Sequence, residues 1–164
     1  MAQQGRNEEG IAQIREGLAA FRAAGTEVMR PHVLCLLAEA CREKDRLDDG
    51  LSALAESLAA ADAQEERHYD AEIHRLKGEF LLRQDQSNAP EAENCFRCAV
   101  EIARKQSAKS LELRATMSLA RLLAQQGRRE EARTMLADVY NWFTEGFDTA
   151  ELKDAKALLD ELGG

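Results

Sequence analysis

The sequence is poor in the residues on which sheets, rigid turns and membrane spans depend. Aromatic residues make up 5% of the 164 positions, proline occurs twice, and no apolar run is long enough to cross a membrane. The N-terminus also lacks the basic and then apolar order of a secretory signal. We therefore expect a cytoplasmic protein with no membrane partner.

Basic residues are outnumbered by acidic ones, 22 to 30, which gives a formal charge of −8. Such a surface repels phosphate backbones, so nucleic acid is not expected as a partner. Cys35, Cys41, Cys95 and Cys98 all fall in helical patterns, where we interpret them as small buried apolar residues. The last two form a single C-x-x-C without further ligands at suitable spacing, so no metal site is predicted.

No residue pattern typical of an active site is present. His32, His68 and His74 stand apart from any nucleophile motif, and neighbouring acids such as Glu130 and Glu131 face different directions on a helix. A glycine-rich phosphate loop is also missing. We therefore expect no enzyme activity and no cofactor.

What the chain has in abundance is helix-forming residues. It is 45% hydrophobic and 32% charged, rich in Ala, Leu, Glu and Arg, which predicts an all-α fold. The phrase AQQGR occurs at residues 2–6 and again at residues 124–128. In the second copy Gly127 ends one apolar-periodic run and acidic residues open the next, a pattern typical of a helix-to-helix corner. We predict that both copies are such corners.

Aligning the chain on itself from these corners reveals a repeat. Small residues stand at Gly10, Gly50, Ala92 and Ala132, with spacings of 40, 42 and 40 residues. Each is followed four residues later by a large apolar residue: Ile14, Leu54, Phe96 and Leu136. Further small residues lie in the preceding helical runs, at Ala38, Gly78 and Ala120. This alternation predicts pairs of antiparallel helices that approach closely at the small residues.

Eight helices follow from the periodicity and its punctuation by Gly25, Pro31, Pro90 and Gly146. We predict them near residues 7–24, 30–44, 47–63, 67–85, 89–107, 109–126, 129–145 and 149–162. The chain is then a single helical-repeat domain over residues 1–164. Its parts are a half repeat at 7–24, repeats at 30–63, 67–107 and 109–145, and a capping helix at 149–162.

The segment Ala92-Glu-Asn-Cys-Phe96 matches the A-x-x-x-F of the tetratricopeptide repeat. The small-to-large alternation also resembles that repeat, which implies an α-solenoid. The period of 40–42 residues exceeds the usual 34, which predicts longer helices.

Longer strings resemble the C-terminal repeats of large bacterial signalling ATPases, many of which carry a class III adenylate or guanylate cyclase domain at the N-terminus. The strings are AEIHRLKGEFLL (71–82), EAENCF (91–96), AKSLELR (108–114), SLARL (118–122) and WFTEGFDT (142–149). The resemblance implies the helical tail of such a protein, acting as a non-catalytic interaction or regulatory scaffold. Its partner is then a protein or peptide, or the ATPase and cyclase domains of its own parent chain.

The first helix of each pair lines the inner groove of such an array. The predicted lining is His32, Cys35, Glu39, Arg42, Glu72, Arg75, Glu79, Arg83, Arg114, Met117, Arg121 and Gln125. The five arginines suit an acidic peptide, because guanidinium groups bind carboxylates in a forked geometry. The sequence leaves a second interpretation open, in which the charges pair with one another, as Glu72 with Arg75 and Glu79 with Arg83.

Self-association is the alternative function that the sequence leaves open. Ile11, Leu18 and Phe21 give the first helix an apolar face, and a homodimer is the form that this alternative predicts. Half of the aromatic residues gather at Tyr140, Trp142, Phe143 and Phe147, where helical spacing indicates core more than a binding hot spot.

Overall fold

The computed structural model describes residues 2–25, 29–64 and 67–164. In these ranges the chain forms eight α-helices and no strand, which confirms the predicted all-α class. The helices are α1 (Ala2–Ala23), α2 (Arg30–Glu43), α3 (Leu47–Gln64), α4 (Asp70–Gln84), α5 (Ala89–Lys105), α6 (Lys109–Gln125), α7 (Arg129–Tyr140) and α8 (Ala150–Gly163). A short 3-10 turn, Gln86–Asn88, leads into α5. None of the described helices combines the length and apolarity that a membrane crossing demands.

The boundary between α6 and α7 agrees with the sequence prediction, because a glycine in a left-handed conformation marks it. Gly127 separates α6 from α7 with a φ of +82°, the left-handed conformation that only glycine adopts without strain. The first AQQGR copy is different, because it lies inside α1 and forms no corner. A glycine whose backbone stays helical does not interrupt a helix, although it costs about 1 kcal/mol of helix stability relative to alanine. The prediction of two equivalent corners was therefore wrong for residues 2–6.

Helix α7 is shorter than the sequence predicts. It ends at Tyr140, five residues before the expected end at 145. The amides of Trp142 and Phe143 bond to the carbonyls of Val139 and Tyr140 three residues back, at 3.3 and 3.1 Å. These i→i−3 bonds tighten the last turn and close the helix before its apolar pattern runs out.

The helices stack in chain order, each against the next, as consecutive pairs of a solenoid-like repeat. Alternate helices form two layers, and the spacing between helices differs between these layers. The backbones of α2, α4, α6 and α8 approach one another in turn, whereas over the described residues those of α1, α3, α5 and α7 are further apart. Long side chains bridge the wider layer, as in the ion pairs Arg15–Asp49 and Arg97–Glu131. A stack whose one layer is closer together curves toward that layer. The even-numbered helices therefore form the concave side.

Small residues determine how closely neighbouring helices approach one another, as the sequence predicts. A Cβ on Gly78 of α4 would lie 2.6 Å from Cε1 of Phe96, and one on Gly50 of α3 would lie 2.2 Å from Cζ of Phe80. Both rings are almost fully buried. The two aromatic side chains thus occupy the space that each glycine leaves, and they lock α3, α4 and α5 together.

Candidate functional site

The concave surface is built from one face of each even-numbered helix. A cavity of about 290 Å³ opens on it and reaches all four of them. Its walls include Glu39 and Arg42 of α2, Glu79 of α4, Arg121 of α6 and Asp154 of α8. The lining is mostly polar and carries both signs of charge.

Arg75 of α4 is the centre of a charge network on this surface. The residue is only 7% exposed, and its Nε donates to Oε2 of Glu72 at 2.9 Å. The same guanidinium also binds Glu79, one turn further along α4, and lies 3.6 Å from Glu39 of α2. Burial alone would lower the pKa of Arg75, but the hydrogen bond and attraction to Glu72 outweigh it and raise that pKa. The arginine therefore stays charged in a poorly hydrated position.

Glu79 connects three helices. It accepts hydrogen bonds from Arg42 of α2, from Arg75 of its own helix, and from the hydroxyl of Ser118 of α6 at 2.9 Å. Burial raises the pKa of Glu79, but attraction to Arg75 and Arg42 and the hydrogen bonds bring it below the ordinary value. The network holds α2, α4 and α6 in fixed positions on the concave side.

Two more arginines extend the network toward its ends. Arg114 of α6 forms an ion pair with Glu151 of α8, and it lies 3.8 Å from Glu72 of α4. Arg83, at the end of α4, donates to the backbone carbonyl of Arg42 at 2.7 Å. Each link joins one concave helix to the next.

The contacts favour the second interpretation for three of the groove arginines. Arg42, Arg75 and Arg114 hold carboxylates of the chain itself, as the second interpretation predicts. The predicted pair Glu72–Arg75 is present. The prediction of a pair Glu79–Arg83 was wrong, because Glu79 turns toward Arg42 and Ser118 of neighbouring helices. Over the part of the chain that the structure describes, Arg121 makes no ion pair.

Two predicted groove residues lie elsewhere. The Sγ atom of Cys35 is 3.6 Å from the hydroxyl of Ser57, between α2 and α3, and burial raises the pKa of this thiol to about 12. His32 stacks on Tyr69, with ring centroids 4.6 Å apart. Neither side chain is among those that line the concave cavity. The groove assignment of Cys35 was wrong, because a one-residue shift on a helix turns a side chain by about 100°.

The acidic residues of α8 were absent from the predicted groove. Glu151 and Asp154 line the cavity together with Arg114 and Arg121. The sequence treats α8 as a cap with one wet face, and that wet face is the one that meets the arginines of α6. The seven-residue spacing shared by Arg114 and Arg121 and by Asp154 and Glu161 was the available signal.

The predicted self-association face on α1 is corrected in part. Ile11 is 2% exposed and packs into the core, so it is not on an open face. Leu18 is half-buried against the same core, and Phe21 is 38% exposed. The helix is turned so that its first apolar residues contact α2.

The aromatic group near the end of α7 is split between core and surface. Tyr140 and Phe143 are half-buried against the larger core cluster, as predicted. Trp142 is 58% exposed and Phe147 is 46% exposed, contrary to the core interpretation. The early end of α7 at Tyr140 turns Trp142 outward, where it meets Phe143 edge-on.

Comparison with known proteins adds one similarity. No family model matches the chain. An uncharacterized protein of Rhizobium meliloti (strain 1021) is 28% identical over 113 residues. The aligned part is 69% of this chain and 11% of the relative, so the chain spans about a tenth of the length of the protein that it matches.

Proposed function

We propose that this chain is a non-catalytic interaction module that binds a protein segment on its concave surface. The observation that carries the proposal is the cavity that reaches α2, α4, α6 and α8 at once. A segment bound there contacts all three full repeats and the capping helix, and helical arrays of this kind use their concave side for extended partners. The ion pairs of Arg75 and Glu79 pre-order the surface, which lowers the entropy cost of binding.

We further propose that the module serves a larger cytoplasmic signalling protein, as the resemblance to the tails of bacterial signalling ATPases implies. The relative supports only the larger size, because the aligned part is 11% of its length. On this proposal the segment bound by the concave surface belongs to another protein or to the ATPase or cyclase part of a parent chain. The module then holds that part in one state.

An unbiased peptide selection tests the binding site. We expect random 16-residue peptides displayed on phage to yield binders to the immobilised chain. Arg121→Glu is expected to weaken the selected peptides about tenfold or more, because charged hydrogen bonds contribute about 1.5–3 kcal/mol. The measurement is fluorescence anisotropy with the synthetic peptides.

The matched control is Arg133→Glu, the same charge change at an exposed position of α7, outside the concave layer. The affinities of this variant for the selected peptides should stay within about twofold of those of the unmodified chain, because Arg133 lines neither concave cavity and exposed charges are screened by salt. Equal weakening by both variants, or a selection that yields no binder, would contradict the proposed site.

Self-association through α1 is a second candidate function, and the repeat register favours it. Gly10, Ile14 and Gly17 are half-buried, whereas their counterparts in the other three repeats are all buried. Phe21 continues the same stripe and is 38% exposed. We propose that this stripe, shifted from the face that the sequence predicts, packs against a second copy.

Light scattering at increasing concentration tests this second function. One helix pair is a small interface, so we expect the mass to rise from 18.2 kDa toward twice that value only at about 10 μM to 1 mM. Phe21→Glu should shift the transition to at least about tenfold higher concentration, and Phe147→Glu, at a similarly exposed ring, should not. A mass that stays at one chain throughout rejects self-association.

A further inference from the structure

Three charged side chains on or beside the concave surface have no partner within the described ranges. They are Arg121 of α6 and Asp154 and Glu161 of α8, for which neither an ion pair nor a side-chain hydrogen bond is found there. All three are exposed. The neighbouring charges differ, because Arg42, Arg75 and Arg114 are each neutralised by a carboxylate of the chain. The capacity to bind an outside charge is therefore concentrated where α6 meets α8.

These three side chains line a continuous trough. The cavity of about 290 Å³ on the concave surface adjoins a second one of about 300 Å³, and the two share Arg121 and Asp154 as a wall. Glu161 lines the second cavity, and Ala157 and Leu158 lie between the two acids along α8. The trough thus offers one cation, two anions and a small apolar floor.

The spacing of the charges limits which segments can bind in the trough. Asp154 and Glu161 are seven residues apart on α8, which places them on one face at about 10 Å from each other. A segment in the polyproline II conformation has three residues per turn and rises about 3.1 Å per residue, so two basic side chains three positions apart lie on one face at about that distance. Arg121 lines both cavities, so an acidic side chain between the two basic ones faces it.

On the premise that the concave surface is the binding site, we infer that its end at α6 and α8 recognises a segment by charge order. The segment carries an acidic residue for Arg121 between two basic residues for Asp154 and Glu161, with an apolar residue over Ala157. Charge complementarity selects the partner here, because each charge of such a segment faces a side chain of opposite sign. A segment with the opposite sign at each of these positions is repelled at every contact. Net charge alone does not decide binding.

Two peptides of identical composition test the inference. The ordered peptide is Gly-Ser-Lys-Glu-Leu-Lys-Ser-Gly, and the permuted peptide is Gly-Ser-Lys-Lys-Leu-Glu-Ser-Gly. We expect the ordered peptide to bind the 164-residue chain at least about tenfold more tightly, measured by anisotropy with a fluorescein label at low salt. Arg121→Glu should abolish this preference, while Arg133→Glu should keep it.

A charge exchange provides the second arm. Asp154→Lys should weaken the ordered peptide, and a peptide with glutamate in place of the first lysine should regain affinity for that variant. Equal affinity for the two peptides overturns the charge-order inference but leaves the concave site intact if Arg121→Glu weakens both. Failure of both peptides to bind at 1 mM, about the weak limit of specific recognition, also overturns it, and the phage selection then decides separately on the concave site.

Discussion

Replacing Phe96 with alanine is expected to lower the free energy of unfolding by about 3–5 kcal/mol, the cost of deleting a large buried ring. The ring is 1% exposed, belongs to the larger core cluster and fills the space beside Gly78. Its loss leaves a cavity between α4 and α5 that the backbone of two helices cannot close. Urea unfolding followed by circular dichroism measures the change.

Phe147→Ala is the matched control for this prediction. That ring is 46% exposed, so the same deletion should cost less than about 1 kcal/mol. A further comparison is Gly78→Ala, whose new methyl group would lie 2.6 Å from the Phe96 ring. We expect this variant to lose about 1–3 kcal/mol by overpacking. Similar costs for Phe96→Ala and Phe147→Ala would show that the glycine-ring contact does not hold the repeats together.

The sequence carries enough information for the repeat itself. Phe96 and Gly78 belong to one short local pattern, and the register places small and large residues opposite each other without reference to distant parts of the chain. Gly127 is similarly local, since its left-handed φ ends α6 by itself. Helix number and pairing could therefore be predicted, and the structure confirms the all-α solenoid-like class.

It was harder to predict which face of each helix packs against its neighbours. Ile11 and Ile14 are three residues apart, and both fit an apolar stripe, but only Ile11 is fully buried against the next helix. Cys35 fits a groove position by spacing and instead faces Ser57. Rotation of a helix about its own axis depends on contacts with its neighbours, which no local pattern contains.

The charge network is the feature that is hardest to predict from the sequence. The pair Glu72–Arg75 is local, three residues apart on one helix, and was predicted. The contacts of Glu79 with Arg42 and Ser118 span 37 and 39 residues, and they exist only because the curvature brings α2, α4 and α6 together. Which arginines remain free for a ligand follows from those distant contacts.

Arg75→Met is the second substitution with a large expected effect. It removes the cation from a nearly buried network and leaves Glu72, itself 7% exposed, without that partner. Breaking a buried ion pair from one side costs about 3–5 kcal/mol at pH 7, because the remaining charge is poorly hydrated. Methionine keeps the apolar stem of the arginine, so the loss arises mainly from charge. Urea unfolding measures it, with Arg133→Met on the exposed side of α7 as control.

The pH dependence separates charge from packing in this variant. In the unmodified chain the pKa of Glu79 is lowered: burial raises it, and attraction to Arg75 and Arg42 more than compensates. Ionised Glu79 therefore contributes stability above the ordinary glutamate pKa of about 4.3, and this contribution is lost as the pH falls through the lower folded pKa. Without Arg75 much of the attraction is gone while burial remains, so the pKa of Glu79 rises and the group protonates earlier. The cost of Arg75→Met should thus shrink between pH 7 and pH 4, whereas a cost that is equal at both pH values would identify lost packing as its cause.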